Sequence, residues 1–265
     1  MTYADGFDPR IYRACAWCGF IFCIMWLGGA GAVTGWLYLP PPSAADAAAT
    51  TLASYTSRDL MLVRIGITLA NFATFFYIAF GVVISLLTKK IEREHPILFY
   101  LQMISLATCV VVILYIAFFW AAAAWRPGET SMEVTQAMND LGWLGVLYTG
   151  APFAAYMIPL AIVTLKDTSE QPVYPRWSAY FNLFVSFFMF EAAGILLFKT
   201  GPFSQNGLFV FYVPMIVFFV WIMVFSYLAM KAINAEVARR DALLGQSSQT
   251  SGANRGGIGS PVGAI

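Results

Sequence analysis

The sequence contains one histidine, His95, in the segment EREHP. A single imidazole cannot build a bis-histidine haem or a multi-histidine copper or iron centre, so the chemistry of cytochrome b-like subunits and histidine-rich oxygenases is excluded. Charge is also scarce. Asp, Glu, Lys and Arg make up 11% of 265 residues, against about 25% in an ordinary soluble domain. With a net charge of +1 and no cluster of basic residues, nucleic acid is excluded as a partner. There is no H-E-x-x-H pair, no G-x-x-x-x-G-K phosphate loop and no T-V-G-Y-G filter. Lys166, Lys199 and Lys231 all stand at the ends of apolar segments, where none could carry a retinal. Cysteine is limited to four residues. Cys15 and Cys18 form a C-x-x-C, but without a βαβ context and at the cytoplasmic end of an apolar segment they read as small buried residues. No cofactor and no metal site is expected.

What remains is apolar. Hydrophobic residues make up 60% of the chain and aromatic residues 17%, and the mean hydropathy is +0.71. Six segments, at about 13–39, 60–88, 97–125, 141–166, 178–199 and 208–232, are long enough to cross a hydrocarbon core of about 30 Å at 1.5 Å per residue. Lipid offers no partner for backbone N–H and C=O groups, so the segments must be helical. The expected fold is an all-α, polytopic membrane bundle of six transmembrane helices. Residues 1–12 form an N-terminal segment too acidic for a cleavable signal. Residues 233–245 extend the last helix, and the Gly- and Ser-rich stretch 246–265 reads as a disordered tail.

Lys and Arg set the orientation. With the N-terminus in the cytoplasm, eleven basic residues, among them Lys89, Lys90, Arg239 and Arg240, face inward. Only Arg58, Arg126 and Lys199 face outward. Both termini are therefore expected in the cytoplasm, in a bacterial inner membrane.

An ionisable residue inside a membrane usually has a partner or a cavity, because its insertion costs about 3 kcal/mol. Two are present, Arg64 in the second span and Glu191 in the fifth, at overlapping depths that permit a pair. Arg64, Thr68 and Asn71 form a polar stripe at i, i+4 and i+7. Gln102, Ser105 and Cys109 form another in the third span. Phe187 shares the face of Glu191, and Tyr156 lies with Pro152 and Pro159 in a fourth span expected to bend. The candidate ligand-binding set is thus Arg64, Thr68, Asn71, Tyr156, Phe187 and Glu191. The structural alternative is an ion pair, with Thr, Asn and Gln as interhelical hydrogen-bonding groups at about 0.6 kcal/mol each.

Four further features complete the pattern. Gly28, Gly31, Ala32 and Gly35 in GGAGAVTG offer a face for close backbone approach. Trp36, Tyr38, Trp125, Trp143 and Trp177 fall near the expected membrane surfaces and read as anchors. The loop PPPSAADAAATTLASYTSRD promises little packed structure. The segment FKTGPFSQNG, through Lys199, Thr200, Gly201, Pro202, Phe203, Asn206 and Gly207, and then Pro214, resembles the C-terminal signature of a group of bacterial six-span membrane proteins. That resemblance implies an inner-membrane protein and brings no activity with it.

Three functional readings follow. The first is a bundle that binds or transports a small, largely apolar molecule through an aromatic-lined site. The second is a non-catalytic subunit of a larger membrane complex, or a homo-oligomer. The third is an enzyme acting on a lipid-soluble substrate with Glu191 as acid or base. The lipid bilayer is a partner in all three.

Overall fold

The computed structural model describes residues 3, 6–37, 41, 43–92 and 94–256, side chains included except at 37 and 246–256. Among these residues there is no strand, and six helical segments are long and apolar enough to span a membrane: Pro9–Val33, Leu60–Glu92, Ile97–Trp125, Met132–Lys166, Arg176–Leu196 and Leu208–Gly245. The protein is an all-α, multi-pass membrane bundle.

Among the described residues, eight α-helices build it: α1 (Pro9–Trp26), α2 (Ala48–Thr56), α3 (Leu60–Glu92), α4 (Ile97–Trp125), α5 (Met132–Leu147), α6 (Ala151–Lys166), α7 (Arg176–Glu191) and α8 (Val213–Gly256). Local chemistry sets several ends. The Asp8 carboxylate accepts from Arg10 N–H ahead of α1, whose first residue is Pro9. Ser131 Oγ accepts from Val134 N–H and starts α5. Glu92 reaches across the connection to accept the free N–H groups of Leu98 (3.0 Å) and Phe99 (2.8 Å) in the first turn of α4.

α1 packs on α3 and α8, α3 on α4, α4 on α5 and α6, α6 on α7, and α7 on α8. A close backbone crossing joins the end of the first span to α3. A Cβ on Gly29 would meet the Gly66 carbonyl oxygen at 2.5 Å, and one on Gly66 would meet the Gly29 carbonyl oxygen at 2.6 Å. The glycine-rich face thus makes the expected close approach, but through Gly29. Gly28 faces open space.

Other expectations are revised. The long loop after the first span contains α2, whose Tyr55 is fully buried and donates from its hydroxyl to Asn139 Oδ1 at 3.0 Å. One aromatic side chain with a satisfied polar tip is enough to dock a loop of small residues. Trp36 and Trp143 are not surface anchors. They are 8% and 1% exposed and stack on each other at 6.3 Å, whereas Trp125 and Trp177 are exposed as an anchor should be. Tyr38 and residues 257–265 of the expected tail lie outside the described residues. The last helix carries on through Gly256, past the boundary expected at 245.

Candidate functional site

Every membrane-spanning segment that departs from α geometry, among the described residues, does so on the half of the bundle away from the basic face that bears Lys89, Lys90 and Lys166. α1 ends at Trp26 and the glycine-rich run Leu27–Val33 widens into π-helical turns. The chain then leaves the helix through two left-handed residues, Gly35 (φ 60°) and Trp36 (φ 54°). Gly35 takes this conformation freely, but Trp36 does so at a steric cost. Arg58 Nη1 donates to the Thr34 carbonyl at 3.2 Å and closes the turn.

The fourth span breaks completely between α5 and α6. Tyr148 caps α5, Gly150 caps α6, and the Thr149 hydroxyl donates back to the Gly145 carbonyl. Pro152 sits in the first turn of α6, where its missing N–H costs nothing. The expected bend is therefore a true interruption, with only Pro159 inside the helix. The break touches the third irregularity directly, because a Cβ on Gly150 would overlap the Met189 carbonyl oxygen. α7 stops at Glu191 and tightens into the 3-10 turns of Ala192–Leu196. The sixth span begins with the π-helical turn Leu208–Tyr212, and α8 continues from Val213 and Pro214.

These four interruptions surround one apolar cavity of about 60 Å³. Its walls lie in or beside them: Trp26 ends α1 just before the first, Gly145, Leu147 and Gly150 flank or form the second, Ala192 opens the third with Met189 just before it, and Pro214 and Met215 follow the fourth. Phe22, Phe153, Phe218 and Phe219 complete the lining. A ring cluster covers it on one side, with Trp26 against Trp36 (5.2 Å), Trp120 (6.3 Å) and Phe219 (5.5 Å), and Trp143 against Trp120 (5.1 Å) and Phe211 (5.7 Å). Among the described residues, no ionisable side chain lines the cavity. A void with so few polar partners does not hold water well.

The residues singled out from the sequence lie elsewhere, and they do not form one site. Arg64 donates from Nε to the Ala124 carbonyl (3.0 Å) and from Nη2 to the Trp125 carbonyl (2.6 Å). It therefore caps the end of α4, whose last carbonyls have no partner within the helix. Thr68 is exposed, with its hydroxyl bonded to the Arg64 carbonyl one turn back, and Asn71 is half-buried on the same helix. Glu191 is half-buried at the end of α7, and its Oε2 has no hydrogen-bond partner among the described residues. Arg64 and Glu191 form no ion pair. Phe187 is 64% exposed and points away from the bundle. Tyr156 is buried, but as a structural tie: its hydroxyl bonds the Gly81 carbonyl at 2.7 Å and Ser85 Oγ at 2.8 Å, holding α6 to α3. Gln102 is fully buried, with no partner for its amide among the described residues, while Cys109 is a buried free thiol.

The cavity residues were missed because the reading followed polarity. The available signal was the coincidence of Gly and Pro in four spans, at Gly28–Gly31, Gly150–Pro152, Gly194 and Pro214, all at similar distances from the basic face. No protein-family model, no curated protein and no solved structure matches the chain.

Proposed function

We propose that the protein is a multi-pass protein of a bacterial inner membrane, with both termini in the cytosol, that binds a small, largely apolar molecule in the cavity between the interrupted helices and passes it across the bilayer half they occupy. The convergence of four interruptions on one aromatic-lined void carries this reading. Irregular backbone at membrane depth is tolerated where it is buried in protein or lines a cavity, and discontinuous helices frame the substrate sites of many transporters. A pair of regular helices has no comparable freedom to move.

At about 60 Å³ the void is smaller than the ~150 Å³ hollow that accepts a benzene ring. In this reading the structure is the closed form. A guest the size of a short acyl chain or a single ring enters as the π-helical turns at Leu27–Val33 and Leu208–Tyr212 rewind. Arg64, Thr68, Asn71 and Glu191 are not part of this proposed site, and Tyr156 is the fixed tie beneath it.

Native mass spectrometry of the protein, extracted gently from its host membrane, tests the reading. A reproducible small apolar mass is expected on the wild type, lost in Ala192→Leu, which fills the void, and kept in Phe187→Ala. A wild type that carries no such mass sinks it. A second reading, as an accessory subunit, is favoured by the length of α8, which continues through Gly256 and leaves Leu243 56% exposed. Stoichiometric foreign subunits in the same spectrum would establish that reading instead.

A further inference from the structure

A large cleft lies at the opposite end of the bundle. It has a volume of about 830 Å³ and opens on the basic face between the end of α3, the connection 167–173 after α6, and the extension of α8. Its floor is apolar, formed by Leu87, Ile91, Val173, Ala232 and Ala235. Its rim is charged. Three helices each bring one cation to it: Lys90 from α3, Lys166 from α6 and Arg239 from α8.

Two of the three carboxylates in the rim are already occupied. Glu236 receives Lys90 Nζ at 3.1 Å, Arg239 Nη2 at 2.8 Å and Arg240 Nε at 2.8 Å, so three cations share one anion. Glu236 is 11% exposed while the Lys90 and Arg239 side chains remain 55% and 56% exposed, with donors left for a second anion. The Asp167 carboxylate is turned into its own loop. It accepts from Ser169 N–H (3.2 Å), Ser169 Oγ–H (2.6 Å) and Val173 N–H (2.8 Å). Burial opposes its charge, but these bonds and the nearby Lys90 hold its pKa below the usual carboxylate range. Lys166 is exposed and makes no ion pair among the described residues. Glu170 is the one exposed carboxylate left in the rim.

We propose that this cleft is a binding site for a phosphate-bearing anion, held by Lys90, Lys166 and Arg239 above the apolar floor. A phosphate has three or more acceptor oxygens, enough to engage all three cations together. Glu236 holds Lys90 and Arg239 in place before the ligand arrives, which lowers the cost of ordering them. An apolar floor beneath a cationic rim suits an amphiphile at the membrane surface. The same phosphate chemistry can come from an anionic phospholipid headgroup or from a soluble phosphate. The site shares no residue with the aromatic cavity and is independent of its occupant.

The full-length protein in phosphatidylcholine nanodiscs, with and without phosphatidylglycerol, tests the site by native mass spectrometry of retained lipid. In parallel, its thermal stability is followed in inorganic phosphate against chloride at equal ionic strength. Lys166→Gln is the probing variant, because Lys166 holds no other group. Lys199→Gln, on the loop at the far face, is the control. Phosphatidylglycerol retention that falls about ten-fold in Lys166→Gln alone identifies a lipid headgroup site. Stabilisation by inorganic phosphate that disappears in Lys166→Gln alone identifies a soluble phosphate. Neither response in the wild type, or equal loss in both variants, overturns the proposal.

Discussion

The two halves of the bundle are built on different principles. Toward the basic face, α3, α6, α7 and α8 are regular and tied by buried hydrogen bonds: Tyr156 to Gly81 and Ser85, Tyr174 to the Ile84 carbonyl at 3.2 Å, and Trp221 Nε1 to Asn182 Oδ1 at 2.7 Å. Glu236 and its three cations close that end. Toward the other face, the first, fourth, fifth and sixth spans lose α geometry, and a cluster of tryptophan and phenylalanine rings packs between them. Directional bonds define one register and penalise any slip. Ring packing is short-ranged and weakly directional, so it survives rearrangement at lower cost. On the proposed reading, the hydrogen-bonded half is the anchor and the aromatic half is the one that opens around the cavity.

Four substitutions break or sharpen the contrast. The largest effect is expected at Gly150. Any side chain there overlaps the Met189 backbone, and neither partner can turn aside, so Gly150→Val should destabilise the bundle by about 3 kcal/mol or more in reversible detergent unfolding. Wild-type stability in that variant would mean that the break between α5 and α6 moves freely even in the closed form.

A smaller loss, about 1–2 kcal/mol, is expected for Tyr156→Phe, which leaves the Gly81 carbonyl and the Ser85 hydroxyl without this partner in the anchored half. Hydrogen exchange should accelerate along α3 around Gly81 and leave Leu208–Tyr212 unchanged. Acceleration in both halves would show that they open as one unit.

The smallest effect concerns Arg64 and Glu191. Arg64→Leu should cost about 1 kcal/mol by uncapping α4, and Glu191→Gln less. Because the two do not touch, the double mutant should show their sum within about 0.5 kcal/mol. A coupling energy well above that would restore the ion pair between them.

Much of the fold is legible in the sequence. The third span falls at 97–125 in both the sequence reading and the structure, because it is uninterrupted and bounded by Pro96 and Arg126. The fourth span was the hardest, since α5 begins at Met132 with polar residues such as Asn139 that hydropathy assigns to a loop. Asn139 lies inside because Tyr55 of α2 arrives to bond it, a partner 84 residues away. The candidate site was less legible. Polarity drew attention to Arg64 and Glu191, but a guanidinium near a membrane surface can find helix-end carbonyls as readily as a carboxylate. Trp36 and Trp143 lie near the ends of spans, as anchors do, and only the left-handed turn at Gly35–Trp36 swings the first of them back onto the second.

By itself, the sequence determined that this protein is a helical membrane bundle of six spans. Backbone groups in lipid have no other way to be satisfied, and twenty apolar residues in a row state that requirement without reference to any neighbour. The tertiary structure alone decided which residues share a cavity. A break in one helix has no meaning until a second break lies opposite it, and the meeting of Gly150 with Met189, or of Gly29 with Gly66, is set by how the spans cross.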